Sequence, residues 1–221
     1  MKALSVGAKI NGFTLVELLA AIAVIAILAA ILLPASSNRH RRLPGLYCVN
    51  NQKQIASGLI MFRGENNEKL PWQVPASEGG SMEFVTNNSV APHFQVFSNY
   101  FSKQTGILVC PSDTNRQAAV NFASLTSTNV SYFLNLDVTT NANSILSGDR
   151  LMEFNGTLIH SGIFIQSTNV ALTWSTGLHK TPKTSRGIFS FSDGHVQAVT
   201  ASQLNDVLQK QPLATNRFCF P

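Results

Sequence analysis

The chain has 221 residues and a formal net charge of +5, and 44% of its residues are hydrophobic while only 12% are charged. Soluble domains carry roughly 25% charged residues, so this composition favours a crowded, extracytoplasmic setting in which Asn, Ser and Thr keep the surface polar. No basic stripe with interleaved aromatic residues runs along the sequence, so there is no strong nucleic-acid signal. About 150 residues follow the first sixty, which predicts one globular domain rather than several.

The first predicted element is an apolar helix, GFTLVELLAAIAVIAILAAILLPA at residues 12–35. The 18 positions from Leu18 to Ala35 carry no charge, which is the threshold length for spanning about 30 Å of hydrocarbon. Glu17 lies near the start of this run. A carboxylate in lipid costs several kcal/mol unless something neutralises it, so Glu17 is predicted to be functional.

A basic cluster, RHRR at residues 39–42, follows the apolar helix. Such a cluster can meet anionic lipid headgroups or the acidic surface of a neighbouring subunit. Because Lys2 and Lys9 precede the apolar run and arginines follow it, the positive-inside rule leaves the orientation ambiguous.

The residues at the start of the helix resemble those of the type IV pilin and type II secretion pseudopilin superfamily. The match is Gly12 and Phe13, then TLVE ending at Glu17, and an apolar helix that contains Pro34. The resemblance implies that a prepilin peptidase cuts after Gly12 on the cytoplasmic side and methylates the new N-terminal Phe13. It also implies that Glu17 pairs with the N-terminal amine of a neighbouring subunit during assembly. An ordinary signal anchor, with Glu17 reaching back to the cytoplasmic interface, is the alternative.

A second helical segment is predicted beyond Pro34, in YCVNNQKQIASGLIMFRGENN. Tyr47, Ile55, Leu59 and Phe62 recur near helical spacing, so this amphipathic segment should dock one face on a globular head. A spine helix that continued without a break from the apolar run would rise roughly 75 Å.

The segment GIFSFSDGHVQAVT predicts a β-hairpin. Asp193 and Gly194 would supply the two positive-φ residues of a type I′ turn. Pairing outward from that turn joins Phe191 with Val196. Side chains then alternate along each strand, so that one face belongs to the core and the other is wet.

VSYFLNLD and GIFIQSTNVALTW predict further strands, and ASQLNDVLQK predicts a short terminal helix capped by Thr200 or Ser202. The predicted fold is α+β and pilin-like, with a long N-terminal spine helix packed on an antiparallel β-sheet head. The spine has a membrane-spanning half and an amphipathic half. The predicted divisions are a leader peptide at 1–12, a transmembrane and assembly helix at 13–35, the amphipathic half of the spine at 36–64, and a head at 65–221 that includes the hairpin at 187–200.

A narrower resemblance covers most of the head. Five segments, in order, are similar to those of prepilin-type proteins with a C-terminal histidine and Asp-Gly motif: CVNNQKQIASGLIMFRGENNEKLP, ILVCPSD, VSYFLN, ILSGDR and GIFSFSDGHVQAV. His179, Asp193 and Gly194 match that motif, although His179 lies further from Asp193 than the nine intervening residues usual for the family. The motif supplies three candidate residues without a defined role.

Three cysteines, Cys48, Cys110 and Cys219, allow three pairings within one chain. The resemblance favours a disulfide between Cys48 and Cys110, because both match cysteines of the same proteins. An oxidising compartment would let such a bond persist.

The histidines and carboxylates of the head form no recognised catalytic or metal-ligand spacing. These residues are His160, His179, His195, Asp149 and Asp193. No enzyme activity and no catalytic residue are therefore predicted. No cofactor is predicted either, with calcium held by Asp and Asn oxygens as the alternative.

These features predict a structural subunit of a type IV pilus or a type II secretion pseudopilus-like filament. It would be a single-pass inner-membrane protein with a periplasmic head until assembly carries it into an extracytoplasmic filament. Its predicted partners are prepilin peptidase, identical or related pilin subunits in a helical filament, an inner-membrane assembly platform and the lipid bilayer. The alternative is a signal-anchored periplasmic binding module, for carbohydrate or DNA, that does not polymerise.

Overall fold

The computed structural model describes residues 13–36, 43–175, 179 and 185–221. The chain divides into two compact units, Met1–Arg42 and Leu43–Pro221. The predicted leader, Gly12 and the basic cluster lie outside the described residues, and so does the predicted join between the two halves of the spine. The divisions drawn from the sequence therefore stay predictions.

The described part of the first unit is helix α1, Leu15–Ser36. Residues 13–30 are all exposed, including large apolar side chains such as Ile25, which is 64% exposed. A continuous apolar surface of this kind marks a site of contact with a partner or a membrane. Within the described residues, no helix combines the length and the apolarity needed to cross a membrane.

The second unit, which we call the head, begins with helix α2, Leu43–Glu65. Turns, short 3-10 helices and helix α3, Ala91–Gln95, connect α2 to the first strand, and helix α4, Ala201–Gln209, lies near the end of the chain. The strands are β1 Tyr132–Asn135, β2 Ile145–Asp149, β3 Met152–Phe154, β4 Thr157–Leu158, β5 Gly162–Ser167, β6 Thr173–Trp174, β7 Arg186–Phe191, β8 Val196–Thr200 and β9 Thr215–Phe220.

The strands form two antiparallel sheets. The larger has six strands in the order β5-β9-β1-β2-β7-β8, and the smaller has three in the order β4-β3-β6. With α2 packed on the larger sheet, this arrangement confirms the predicted α+β class.

Helix α2 packs one face against the rest of the head, as its pattern predicts. Three of the four residues predicted for that face are buried, namely Ile55, Leu59 and Phe62. The prediction is wrong for Tyr47, which is 57% exposed. Its neighbour Cys48 is buried instead, together with Gln52 one turn later. Because each residue advances the helix by about 100°, the buried stripe passes through Cys48 and leaves Tyr47 beside it.

The larger sheet is buried on both faces, which corrects the prediction of one wet face. Along β7, Ile188 belongs to the core that includes α2, whereas Phe189 and Phe191 belong to a second core with α4 and β6. Ser190 is fully buried and donates a hydrogen bond from Oγ to Gln52 Oε1 at 2.9 Å. The phenylalanines of β7 thus face an apolar core on the α4 side of the sheet. Ser190 faces a partly polar interface on the α2 side.

The hairpin between β7 and β8 has a different register from the predicted one. Ser190 pairs with Val196, and the Phe191 N–H donates to the His195 carbonyl. The turn is therefore a three-residue loop closed by a bond from Gly194 N–H to the Phe191 carbonyl. Gly194 has φ +90°, whereas a type I′ turn needs positive φ at two residues. Within this turn only Gly194 has that conformation, which is the geometry of a type I turn followed by a glycine bulge.

Strand β9 is not anticipated by the sequence patterns, yet it lies inside the larger sheet between β5 and β1. Helix α4 matches its prediction and begins after Thr200, whose N–H donates to Gln203 Oε1 at 3.1 Å.

Candidate functional site

The first candidate site is the start of helix α1. The Thr14 N–H and the Thr14 hydroxyl both donate to Glu17 Oε2, at 2.9 and 2.8 Å. The Glu17 N–H lies 3.3 Å from Thr14 Oγ1. These contacts form a capping box, in which the two residues satisfy backbone groups at the free end of a helix.

The capping box gives Glu17 a local partner within its own chain. The threonine and glutamate three residues apart, directly before an apolar run, are the sequence signature of this motif. TLVE contains that signature, whereas the three roles predicted for Glu17 were a membrane charge, an intersubunit ion pair and, in a signal anchor, contact with the cytoplasmic interface. The pairing with another subunit that the resemblance implies would use the same carboxylate.

The second candidate site lies in the head, and we call it the cysteine–histidine cluster: Cys48, Cys110, Asp149 and His179. Cys48 of α2 and Cys110 of a loop form a disulfide, with their Cα atoms 5.3 Å apart, inside the usual range of about 4.4–6.8 Å. Cys219 is buried in β9 and takes no part in a disulfide. Burial raises the pKa of the Cys219 thiol to about 12.

His179 lies against the disulfide. Its Nε2 atom is 3.5 Å from Cys110 Sγ and 3.2 Å from Asp149 Oδ2. Its Nδ1 atom is 3.4 Å from Ser112 Oγ. The side chains of His179 and Asp149 are both fully buried. His179 also has φ +47°, and residues other than glycine that adopt this conformation cluster at functional sites.

Asp149 is the last residue of β2, and only one of its two carboxylate oxygens accepts a hydrogen bond from a described residue. Its Oδ2 accepts a hydrogen bond from the Ile188 N–H at 2.7 Å. Its Oδ1 atom is buried and has no hydrogen-bond partner among the described residues. Burial, and secondarily the negative charge of Asp149, raise the pKa of the adjacent Tyr132 well above its usual value.

A bidentate ion pair fixes the two segments that carry Cys110 and Asp149. Arg150 donates from Nε to Asp113 Oδ2 at 2.7 Å and from its terminal nitrogen to Oδ1 at 2.9 Å. Asp113 belongs to ILVCPSD and Arg150 to ILSGDR. Bidentate hydrogen bonds between Arg and a carboxylate are strong and directional. This ion pair therefore fixes the segment that carries Cys110 relative to the end of β2 that carries Asp149.

The Asp-Gly half of the C-terminal motif lies elsewhere. Asp193 accepts hydrogen bonds from the His195 N–H at 3.0 Å and from its Nδ1 at 2.6 Å. The His195 ring stacks on Phe191, with 4.2 Å between ring centroids. No hydrogen bond joins Asp193 to His179 within the described part of the chain. The motif therefore contributes a buried histidine to one site and a turn to another.

The cysteine–histidine cluster also contains the sole group of three or more close His, Cys, Asp or Glu donor atoms in the described ranges: Cys48, Cys110 and His179. In the disulfide, the sulfurs are not the thiolates that bind metals. The cluster is poor in the hard oxygen ligands that calcium prefers. His160 lies apart from it, in a shallow cavity beside Arg116 and Arg150.

Comparison with known protein families gives a match over residues 7–33 to the prokaryotic N-terminal methylation motif. The matched residues include the predicted cleavage position, Gly12, the Thr14–Glu17 capping box and most of α1. The match supports a prepilin-type, processed N terminus. No curated protein matches the chain, and no solved structure matches it.

Proposed function

We propose that this chain is a structural subunit of a type IV pilus or a type II secretion pseudopilus-like filament. Prepilin peptidase cuts between Gly12 and Phe13 and methylates Phe13. Helix α1 then anchors the subunit in the inner membrane and later packs against the α1 helices of identical or related subunits. The head faces the periplasm and becomes the outer part of the filament.

The match to the methylation motif over residues 7–33 is the observation that carries this proposal. Two features of the described chain support it. Phe13 is 77% exposed, and the apolar side chains of α1 are exposed from its first turn onward. A helix of this kind is stable only when lipid or neighbouring helices cover it.

Glu17 supports assembly through its carboxylate. In the isolated chain the carboxylate is held by Thr14, which places a negative charge at the positive end of the helix dipole. A methylated amine of a neighbouring subunit's Phe13 can pair with the same group. Such a pair inside a filament would be costly to break, at roughly 3–5 kcal/mol for a buried pair that loses one partner.

The intact mass of the protein extracted from its native membrane tests the processing step. The expected product begins at N-methylated Phe13. A chain that still begins at Met1 and is absent from filaments would contradict the proposal and favour the signal-anchored binding module instead.

A further inference from the structure

We infer that the reduced form of the cysteine–histidine cluster is a zinc site, with Cys48, Cys110 and His179 as ligands and Asp149 as the fourth. The proposal concerns the head alone and does not depend on filament assembly. The four residues come from α2, a loop, the end of β2 and the segment before β7, so the fold must be complete for them to meet.

The two donor-atom distances from His179 Nε2 match those around a tetrahedral zinc ion. With Zn–S bonds of about 2.3 Å and Zn–N or Zn–O bonds of about 2.0 Å, a tetrahedron separates sulfur from nitrogen by about 3.5 Å and nitrogen from oxygen by about 3.3 Å. His179 Nε2 is 3.5 Å from Cys110 Sγ and 3.2 Å from Asp149 Oδ2. The donor atoms of Cys48, Cys110 and His179 all lie within 4.8 Å of one another.

The unpartnered oxygen of Asp149 is an independent indication of a ligand. A buried carboxylate oxygen without a hydrogen bond is costly, and Oδ1 of Asp149 is in that state. A cation held between Asp149 and His179 would bind the carboxylate through Oδ2, which lies 3.2 Å from His179 Nε2, and would bring a positive charge next to the unpartnered Oδ1. Ser112 Oγ near His179 Nδ1 supplies the outer contact that orients a ligating histidine.

The metal and the disulfide are alternative states of the same two sulfurs. A dithiol reductant gives two electrons and two protons to the Cys48–Cys110 bond, which becomes two thiols while the reductant becomes a disulfide. Zinc binding then releases the two thiol protons, because thiolates are the ligands. Oxidation of the metal-free dithiol restores the S–S bond. Zinc thus stabilises the reduced form against reoxidation.

The test uses the full chain, reduced with a phosphine that does not compete for metal, and titrated with Co²⁺ alone. We expect one equivalent of Co²⁺ to produce thiolate charge-transfer absorption and the visible bands of a tetrahedral site, both removed by Zn²⁺. His179→Ala should weaken Zn²⁺ binding by at least about tenfold, whereas His160→Ala, a histidine outside the cluster, should leave it unchanged. Absence of these bands, or an unchanged affinity in His179→Ala, would overturn the proposal.

A second measurement needs no variant and so does not depend on whether a variant folds. Zn²⁺ added to the reduced wild-type chain should slow re-formation of the Cys48–Cys110 disulfide by at least about tenfold, since the thiolates are held by the metal. The rate is followed by non-reducing peptide mapping after addition of an oxidant. A rate that Zn²⁺ does not change would contradict a zinc site at these sulfurs.

Discussion

The Glu17 carboxylate caps its own helix and, in the proposed filament, forms an intersubunit ion pair; substitution can separate the two roles. Glu17→Gln keeps an acceptor oxygen for the Thr14 N–H, because Gln also serves in a capping box, but it removes the charge. Glu17→Ala removes both the charge and the acceptor of the two Thr14 hydrogen bonds, while Thr14 Oγ1 still faces the N–H of residue 17. We expect both variants to be processed and inserted but poorly incorporated into filaments, as measured in sheared filament fractions. Wild-type incorporation of Glu17→Gln would assign Glu17 to capping alone.

Gly194 is required by the turn between β7 and β8. An alanine there would have to keep φ +90°, and its Cβ would lie 3.0 Å from Ile60 Cδ1. Gly194→Ala should therefore lower the free energy of unfolding by roughly 1 kcal/mol or more. Asp193→Asn keeps an oxygen that can accept from the His195 N–H, so it should leave the free energy of unfolding nearly unchanged. Thermal unfolding of the full chain checks both, with Gly106→Ala as a control because nothing lies within 4 Å of a Cβ at that position.

The opposite order of effects would indicate a functional role for Asp193. In that case Asp193→Asn would impair filament assembly while leaving the unfolding temperature unchanged. Burial by itself would raise the pKa of Asp193, but the hydrogen bonds from the His195 N–H and ring together lower it.

His93 should make the head sensitive to acid. Burial lowers its pKa from 6.5 to about 4, and its Nδ1 contacts Ser81 Oγ at 2.8 Å while Nε2 has no partner among the described residues. Between pH 6.5 and about 4, His93 binds a proton in the unfolded chain but not in the folded chain. The free energy of unfolding therefore falls as the pH falls through this range. The loss is roughly 3 kcal/mol at its full extent.

Denaturant unfolding at a series of pH values measures this loss. His93→Gln should flatten the dependence on pH, whereas His160→Gln, at an exposed site, should not. A wild-type free energy of unfolding that is constant from pH 7 to pH 4.5 would contradict the assignment.

At the scale of elements, the Cys48–Cys110 disulfide ties α2 to a loop 62 residues later in the chain. The chain-entropy relation assigns about 4 kcal/mol to a loop of this size. We expect reduction in the presence of a chelator to lower the free energy of unfolding by up to that amount. Peptide mapping without reduction should link Cys48 to Cys110 and find Cys219 as a thiol. A linkage through Cys219, or three thiols, would contradict the pairing.

The elements that local patterns predicted well are those whose signals lie within their own segment of the sequence. Helix α2 shows a helical repeat at Ile55 and Leu59, and α4 has a cap at Thr200, so both follow from local rules. Strand β9 is different because TNRFCF becomes a strand only through pairing with β1 and β5. The predicted register of the β7–β8 hairpin was wrong for a related reason. A turn that is longer by one residue shifts every pair of residues along the two strands.

The candidate site in the head shows the same limit. The sequence supplied Cys48, Cys110 and His179 through resemblance, but it did not supply Asp149 as their neighbour. Four segments far apart in the chain meet there, and no spacing rule connects them. The Thr14–Glu17 box, by contrast, is fully local, and its signature was present in the sequence.

For the whole molecule, the first requirement of the proposed function is removal of the leader. Gly12→Val should block maturation, because a branched side chain does not fit a peptidase subsite shaped for a residue without Cβ. The uncut precursor should accumulate, as measured by intact mass of the membrane fraction. Gly7→Val, which changes another leader glycine in the same way, should be processed normally. Filaments built from uncut Gly12→Val chains would contradict the pilin interpretation.

The place of β9 in the larger sheet has a consequence for the order of events during synthesis. Its partners β1 and β5 lie on either side of it, and Leu134 pairs with Cys219 across 219 − 134 = 85 residues of sequence. Pairings this distant form slowly, because a long loop must close before they contribute. Strand β9 must therefore be synthesised before the sheet can close, so under the proposed function the head is exported unfolded and completes its sheet only after β9 has crossed the membrane.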